Sequence, residues 1–212
     1  CEESSIVVEA AGQSAVREAA IEVLQSGTSL MLLSVGALAD STLRRDVLDA
    51  TDRESSRLYA PSGAIAGLDA IKAAALADEL ETVSLTTRKP PSGLAGAPYI
   101  ESNEIDLSGF DEPTVVFEGS AKDAATAFPS NINVAVALSL AGIGPDETGV
   151  TIVADPDEEN NVHRIEAVGS AGRIETSVRN VPSPTNPKTS YMAALSAIEK
   201  LRGITMAMSV GT

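Results

Sequence analysis

The stretch Ile6–Asp40, IVVEAAGQSAVREAAIEVLQSGTSLMLLSVGALAD, decides the fold. Ile6–Ala11 is a short apolar run that reads as a buried strand. Ser14 can cap the helix predicted over Ala15–Ser26, which places Val16, Ala19, Ala20, Val23 and Leu24 on one face, and Gly27 stops it. Ser29–Ser34 is a second apolar strand, turned by Val35-Gly36-Ala37. A helix over Ser41–Ala50 and a short strand at Arg57–Ala60 continue the alternation. Such βαβα order predicts a parallel sheet with helices on its faces. Ligands bind outside the carboxyl ends of such strands. That rule singles out Glu9-Ala10-Ala11, Ser34-Val35-Gly36-Ala37 and Pro61-Ser62-Gly63-Ala64. Each glycine could equally be a plain turn residue.

Beyond this stretch the pattern changes. A long helix is predicted over Gly67–Leu80, a strand over Thr82–Thr87, and a Pro-, Gly- and Ser-rich surface excursion over Arg88–Asp111. A strand at Thr114–Glu118 and a short acidic helix near Lys122–Ala127 follow. Ser130 is the expected N-cap of a helix reaching Ala141, which puts Asn131 and Asn133 in its first turn. Val150–Ala154, Val162–Val168 and Arg173–Val181 read as strands of an antiparallel meander, because the turns between them are short. A last helix starts with Asn186 as N-cap and Pro187 as first residue, buries Tyr191, Leu195, Ile198 and Leu201, and ends at Gly203. The expected class is α/β: part of a parallel sheet, then an α+β region with a mixed, largely antiparallel sheet. Its divisions are 1–62, 63–190 and a C-terminal helix with tail at 191–212, packing back on the first.

Composition excludes several functions. With 30 acidic against 15 basic residues the net charge is −15, which argues against nucleic acid, whose phosphates need a basic surface. Lysine is half as common as arginine and aromatics are 3%, so the surface resembles one adapted to high salt, where carboxylate repulsion is screened. No apolar run approaches a bilayer span, and a cytoplasmic location is expected. A single cysteine, Cys1, excludes an internal disulfide or a cysteine zinc cluster, and no metal site is expected.

The sole histidine, His163, lies in NVHRIEAVG at Asn161–Gly169. Strand alternation puts His163, Ile165 and Ala167 on one face and Val162, Arg164, Glu166 and Val168 on the other. A sheltered neutral imidazole can shuttle protons near neutrality, although a lone histidine in such a place can also be an ordinary core residue. Asn131 and Asn133 sit where free backbone N–H groups favour an anion or an amide. Lys188 falls in the first turn of the last helix, where a cation opposes the dipole, and so suggests an anionic partner. A dinucleotide fold opens with a strand, a GxGxxG turn and a helix, and no GxGxxG occurs here. The chain also begins without methionine, almost directly in a strand. It is therefore expected to be an amino-terminally incomplete version of a longer protein, weak in binding NAD(P)⁺ by itself.

The segments VVEAAGQSAVREAA, LLSVGALAD, PSGAIAGLDAIKAA, GSAKDAATAFPSNINVAVALSLAG, TIVADPDEENNVHRIEAVG and NVPSPTNPKTSYMAALSAI resemble the L-aspartate dehydrogenase family in order along nearly the whole chain. FPSNINVA, NNVH and SPTNPKTS are specific in combination. The resemblance implies a Rossmann domain, here lacking its opening unit, and a mixed-sheet catalytic domain in a homodimer. It implies NAD or NADP as cofactor and oxidation of L-aspartate to iminoaspartate, which water converts to oxaloacetate and ammonia or which feeds NAD biosynthesis. His163 falls on the family's active-site histidine, Asn133 on a cofactor-contacting asparagine, and Ala64 in a cofactor loop. With the strand-end rule, Ala11, Gly36 and Gly63 join the cofactor set. Asn131, Lys188 and Thr189 are the candidates for the substrate carboxylates. The alternatives are a homoserine or semialdehyde dehydrogenase on the same scaffold, and a non-catalytic remnant.

Overall fold

In the computed structural model, which describes residues 4–54, 56–76, 80–184 and 189–208, the chain divides into two units, Cys1–Pro61 and Ser62–Thr212. In the first unit, β1 (Ile6–Glu9) pairs in parallel with β2 (Ser29–Leu32), which pairs in parallel with β3 (Leu58–Tyr59). Helix α1 (Gln13–Gln25) buries Val16, Ala20, Val23 and Leu24, while Ala19 faces solvent. The helix begins at Gly12, not at Ser14. The reason is local: the Glu9 carboxylate accepts the Ala11 and Gly12 amides, both at 2.8 Å, and Gly12 turns the chain at φ 122°. A 3-10 turn over Val35–Ala39 leads to α2 (Ser41–Glu54), which runs beyond the expected end at Ala50. Leu30, Met31, Leu32, Leu38 and Val47 complete this core.

The second unit contains α3 (Leu68–Ala75), β4 (Leu80–Lys89), α4 (Pro98–Ser102), β5 (Thr114–Ser120), α5 (Ala121–Ala127), α6 (Asn133–Ala141), β6 (Gly149–Ala154), β7 (Asn161–Gly169), β8 (Gly172–Asn180) and α7 (Tyr191–Thr205). The strand order is β5-β6-β4-β7-β8, with β4 and β6 parallel and the other three pairings antiparallel. The sheet is thus mixed and largely antiparallel, as expected. The simple meander is not found: β4 inserts between β6 and β7, and only β7 and β8 form a hairpin. Pattern and turn length could not reveal this, because β4 comes from far earlier in the chain.

Several local expectations are corrected. Leu80 opens β4 and does not close a helix. The excursion is smaller than Arg88–Asp111 and partly internal: Arg88 and Lys89 are strand residues, and Leu94, Ala97 and Ile100 are buried. Ser130 lies inside a 3-10 turn, Pro129–Asn131, and Ile132 caps α6, so Asn133 is helical but Asn131 is not. The expected cap residues Asn186 and Pro187 lie outside the described residues. The stripe on α7 is not buried: Tyr191, Leu195 and Ile198 are exposed, Leu201 is half-buried, and Ala197 is the buried one among the described residues. The small side of α7 faces inward because Ser196 Oγ meets the Gly63 amide at 3.0 Å, an approach that larger side chains would block. The helix also continues through Gly203 to Thr205.

Gly67 is one glycine that the fold cannot replace. Its φ is 86°, and a Cβ there would come within 2.7 Å of Thr176 Cγ2 on β8. Thr176 is held in place, its hydroxyl donating to Ala66 O at 3.2 Å. Gly67→Ala is expected to cost about 2 kcal/mol, from the left-handed backbone and the collision together. Chemical denaturation measures it, and an unchanged midpoint would refute this account.

Candidate functional site

The central pair of the second sheet builds the site. On β4 the alternation places Val83, Leu85, Thr87 and Lys89 on the helix-covered face, and on β7 it places His163, Ile165 and Ala167 there. The antiparallel register sets Thr87 opposite His163. Thr87 Oγ1 lies 3.0 Å from His163 Nδ1, and both residues are buried, at 4% exposure each. Burial, and after it the positive charge of Lys89, lower the His163 pKa from 6.5 to about 4. The ring is therefore neutral at physiological pH. Burial also lowers the Lys89 pKa, to about 8.

The same unit positions a second group of predicted residues. Ala64 is buried, and its carbonyl accepts from Asn180 Nδ2 at 3.0 Å; the Asn180 Oδ1 accepts from Ser190 Oγ at 2.6 Å. Asn180 thereby ties the 63–64 loop to the start of α7. Gly63 has φ 65°, and a Cβ there would meet nothing within 4 Å, so its backbone is bare on that side. Asn133 is exposed at the start of α6. Thr189 is exposed, with its carbonyl accepting from the Ser183 amide. Asn131 closes the 3-10 turn before α6. Lys188 lies outside the described residues.

The carboxyl ends of β1 and β2, in the first unit, form a braced pair of loops. The Glu9 carboxylate accepts Ala11 N and Gly12 N, and on the other side Ser34 N and Ser34 Oγ, both at 3.0 Å. One side chain thus fixes the loop of Ala11 to the loop of Gly36. Ala11 is exposed, Gly36 is buried, and a Cβ at Gly12 would meet nothing within 4 Å. Small residues over bare backbone at parallel strand ends fit a nicotinamide dinucleotide, which needs close approach to main-chain groups.

Three participants were not singled out from sequence: Thr87, Lys89 and Asn180. Strand alternation extended two residues further would have found Lys89, in line with Val83, Leu85 and Thr87. Asn180 carries no such signal, because its partners are 116 and 10 residues away.

A family profile described as "Aspartate dehydrogenase, C-terminal" matches residues 69–204. Another, "Homoserine dehydrogenase, NAD binding domain", matches residues 1–61. The chain is 49% identical over 206 residues to an L-aspartate dehydrogenase of Methanosarcina barkeri, covering 97% of this chain and 76% of that protein. It is 50% identical over 197 residues to that of Nitrosopumilus maritimus, covering 93% and 72%. The crystal structure of aspartate dehydrogenase from Thermotoga maritima matches with a TM-score of 0.84 at 31% identity, covering all of this chain and 80% of that one.

Proposed function

The chain belongs to the aspartate dehydrogenase family, and we propose that it oxidises L-aspartate to iminoaspartate with NAD(P)⁺, with water then releasing oxaloacetate and ammonia. When bound, the cofactor supplies the hydride acceptor. The protein supplies binding, orientation and proton transfer. The observation that carries the assignment of roles is the buried, neutral imidazole of His163, held by Thr87 and facing a buried cation.

With Nδ1–H donating to Thr87 Oγ1, the His163 Nε2 lone pair is free to take a proton. It takes one from the substrate ammonium before oxidation, or from the water that attacks the imine carbon afterwards. An imidazole of pKa about 4 is a weak base alone. A dicarboxylate arriving beside it favours the protonated ring and raises its basicity when a base is needed. Asn131, Lys188 and Thr189 are assigned to the substrate carboxylates, and Ala11, Gly36, Gly63, Ala64 and Asn133 to the cofactor. Main-chain groups at these small residues and the Glu9 brace support the cofactor assignment.

A homodimer and a role in supplying iminoaspartate to NAD synthesis belong to the same reading. One face of the second sheet carries Ser84, Thr86, Arg164, Glu166, Glu175 and Ser177 along an open groove. No helix among the described residues is long and apolar enough to cross a membrane. The test is direct: reduced cofactor should accumulate with L-aspartate and NAD⁺ or NADP⁺, and not with homoserine. Turnover of homoserine in its place would overturn the substrate.

A further inference from the structure

Asn161 and Asn180 are register partners on β7 and β8, two residues along from the pair His163–Val178 and on the same face of the sheet. Residues so placed have their Cβ atoms about 5 Å apart. The two asparagines have different duties. Asn180 is buried and both ends of its carboxamide are committed: Nδ2 donates to Ala64 O, and Oδ1 accepts from Ser190 Oγ. Asn161 is half-buried, and its carboxamide makes no hydrogen bond to the described residues. The start of β7 is nevertheless pinned from both sides. Val162 lies opposite Arg88 on β4 and Arg179 on β8. Arg88 pairs with the buried carboxylate of Asp155 at 2.9 Å. Arg179 pairs with the buried carboxylate of Glu158, which also accepts the Asn160 amide. Two ion pairs to the 155–158 turn thus fix the backbone that carries Asn161, while its own side chain is left without a partner among the described residues.

A hydrogen-bonding group on rigidly held backbone is prepared for a ligand, because little ordering remains to be done on binding. Asn180 gathers the surrounding pieces. Through Ala64 it holds the loop assigned to the cofactor, and through Ser190 the residue after Thr189, assigned to a substrate carboxylate. Asn161 stands across from that junction, two residues along the strand from His163, a step of about 6.6 Å. We propose that the Asn161 carboxamide binds a carboxylate of the dicarboxylate substrate, donating through Nδ2 beside His163. The assignment rests on the aspartate dehydrogenase reading and adds a substrate-binding residue to it. A neutral amide suits this place: it donates to an anion without adding a positive charge that would oppose protonation of the neighbouring imidazole.

Steady-state kinetics of Asn161→Ala and Asn161→Asp, with succinate as a competitive dicarboxylate probe, test this in the full chain. Asn161→Ala should raise KM for L-aspartate and Ki for succinate by about 10-fold, the worth of a hydrogen bond to a charged group. Asn161→Asp, of the same shape, should raise both by about 100-fold, because a carboxylate then faces a carboxylate. KM for the cofactor should move little in either variant. A folded Asn161→Asp protein with wild-type KM and Ki overturns the proposal. Should both variants fail to fold, the wild-type protein still decides. Saturating succinate should shift the Asn161 side-chain amide signals in its NMR spectrum and leave those of Asn103, on α4, in place. Unmoved Asn161 signals, or no succinate binding at all, overturn the proposal. If the wild-type chain binds succinate with that shift but never oxidises L-aspartate, the reaction assignment fails and the Asn161 contact stands separately.

Discussion

His163→Ala is expected to lower kcat for L-aspartate oxidation by about 10²–10⁴-fold, the usual contribution of a positioned acid–base group. KM should change much less, because the carboxylates are held elsewhere. The variant should fold, since Ile165 and Ala167 keep the strand anchored on the same face. The pH dependence of stability supplies a second readout. The folded pKa, about 4, lies below the ordinary 6.5, so between these values the unfolded chain binds a proton that the folded chain does not. Wild-type stability should therefore fall as pH is lowered from about 6.5 to 4, by on the order of 3 kcal/mol from this group. His163→Ala should lack that component. Turnover near the wild-type value would remove the imidazole from the mechanism, and an unaltered pH–stability curve would contradict its burial as a neutral ring.

The second large effect concerns the aromatic cluster beneath the helices. The chain has three Phe and three Tyr, and three of these six form one group. Phe128 lies 5.5 Å from Phe117 and 5.6 Å from Tyr99, which are themselves 5.2 Å apart, edge to face. Phe128 is 1% exposed and immediately precedes the Pro129–Asn131 turn that leads to Asn133. Phe128→Ala removes the keystone of that group and leaves a cavity that rigid strands cannot close, at a cost of about 3–5 kcal/mol. In a unit of this size the melting temperature should drop on the order of 10 °C. Calorimetry tests this, and a drop of a degree or two would mean that the surroundings collapse into the space.

Local pattern carried much of the fold. The βαβα order of the first unit follows from apolar runs of strand length separated by a helix with buried Val16, Ala20, Val23 and Leu24, and the structure keeps that order. The facing of β7 was equally legible, because a strand's period of two leaves one choice once Ile165 and Ala167 must be inside. His163 could be placed on the covered face from sequence for that reason alone.

What the chain could not disclose locally were the meetings of distant segments. Strand order is set by which hydrophobic edges fit after collapse, so β4 enters between β6 and β7 although turn lengths favour a simple meander. The same insertion brings Thr87 to His163 across 76 residues and carries Lys89 inward from what reads as the start of a loop. Likewise α7 has an evident apolar stripe, yet contact with the backbone at Gly63 selects its small side, Ser196 and Ala197. Sequence by itself therefore determined most of the element types, the faces of the regular strands and the family. Tertiary structure alone decided the neighbours of the imidazole, because a histidine's pKa depends on burial and on charges that no local pattern encodes.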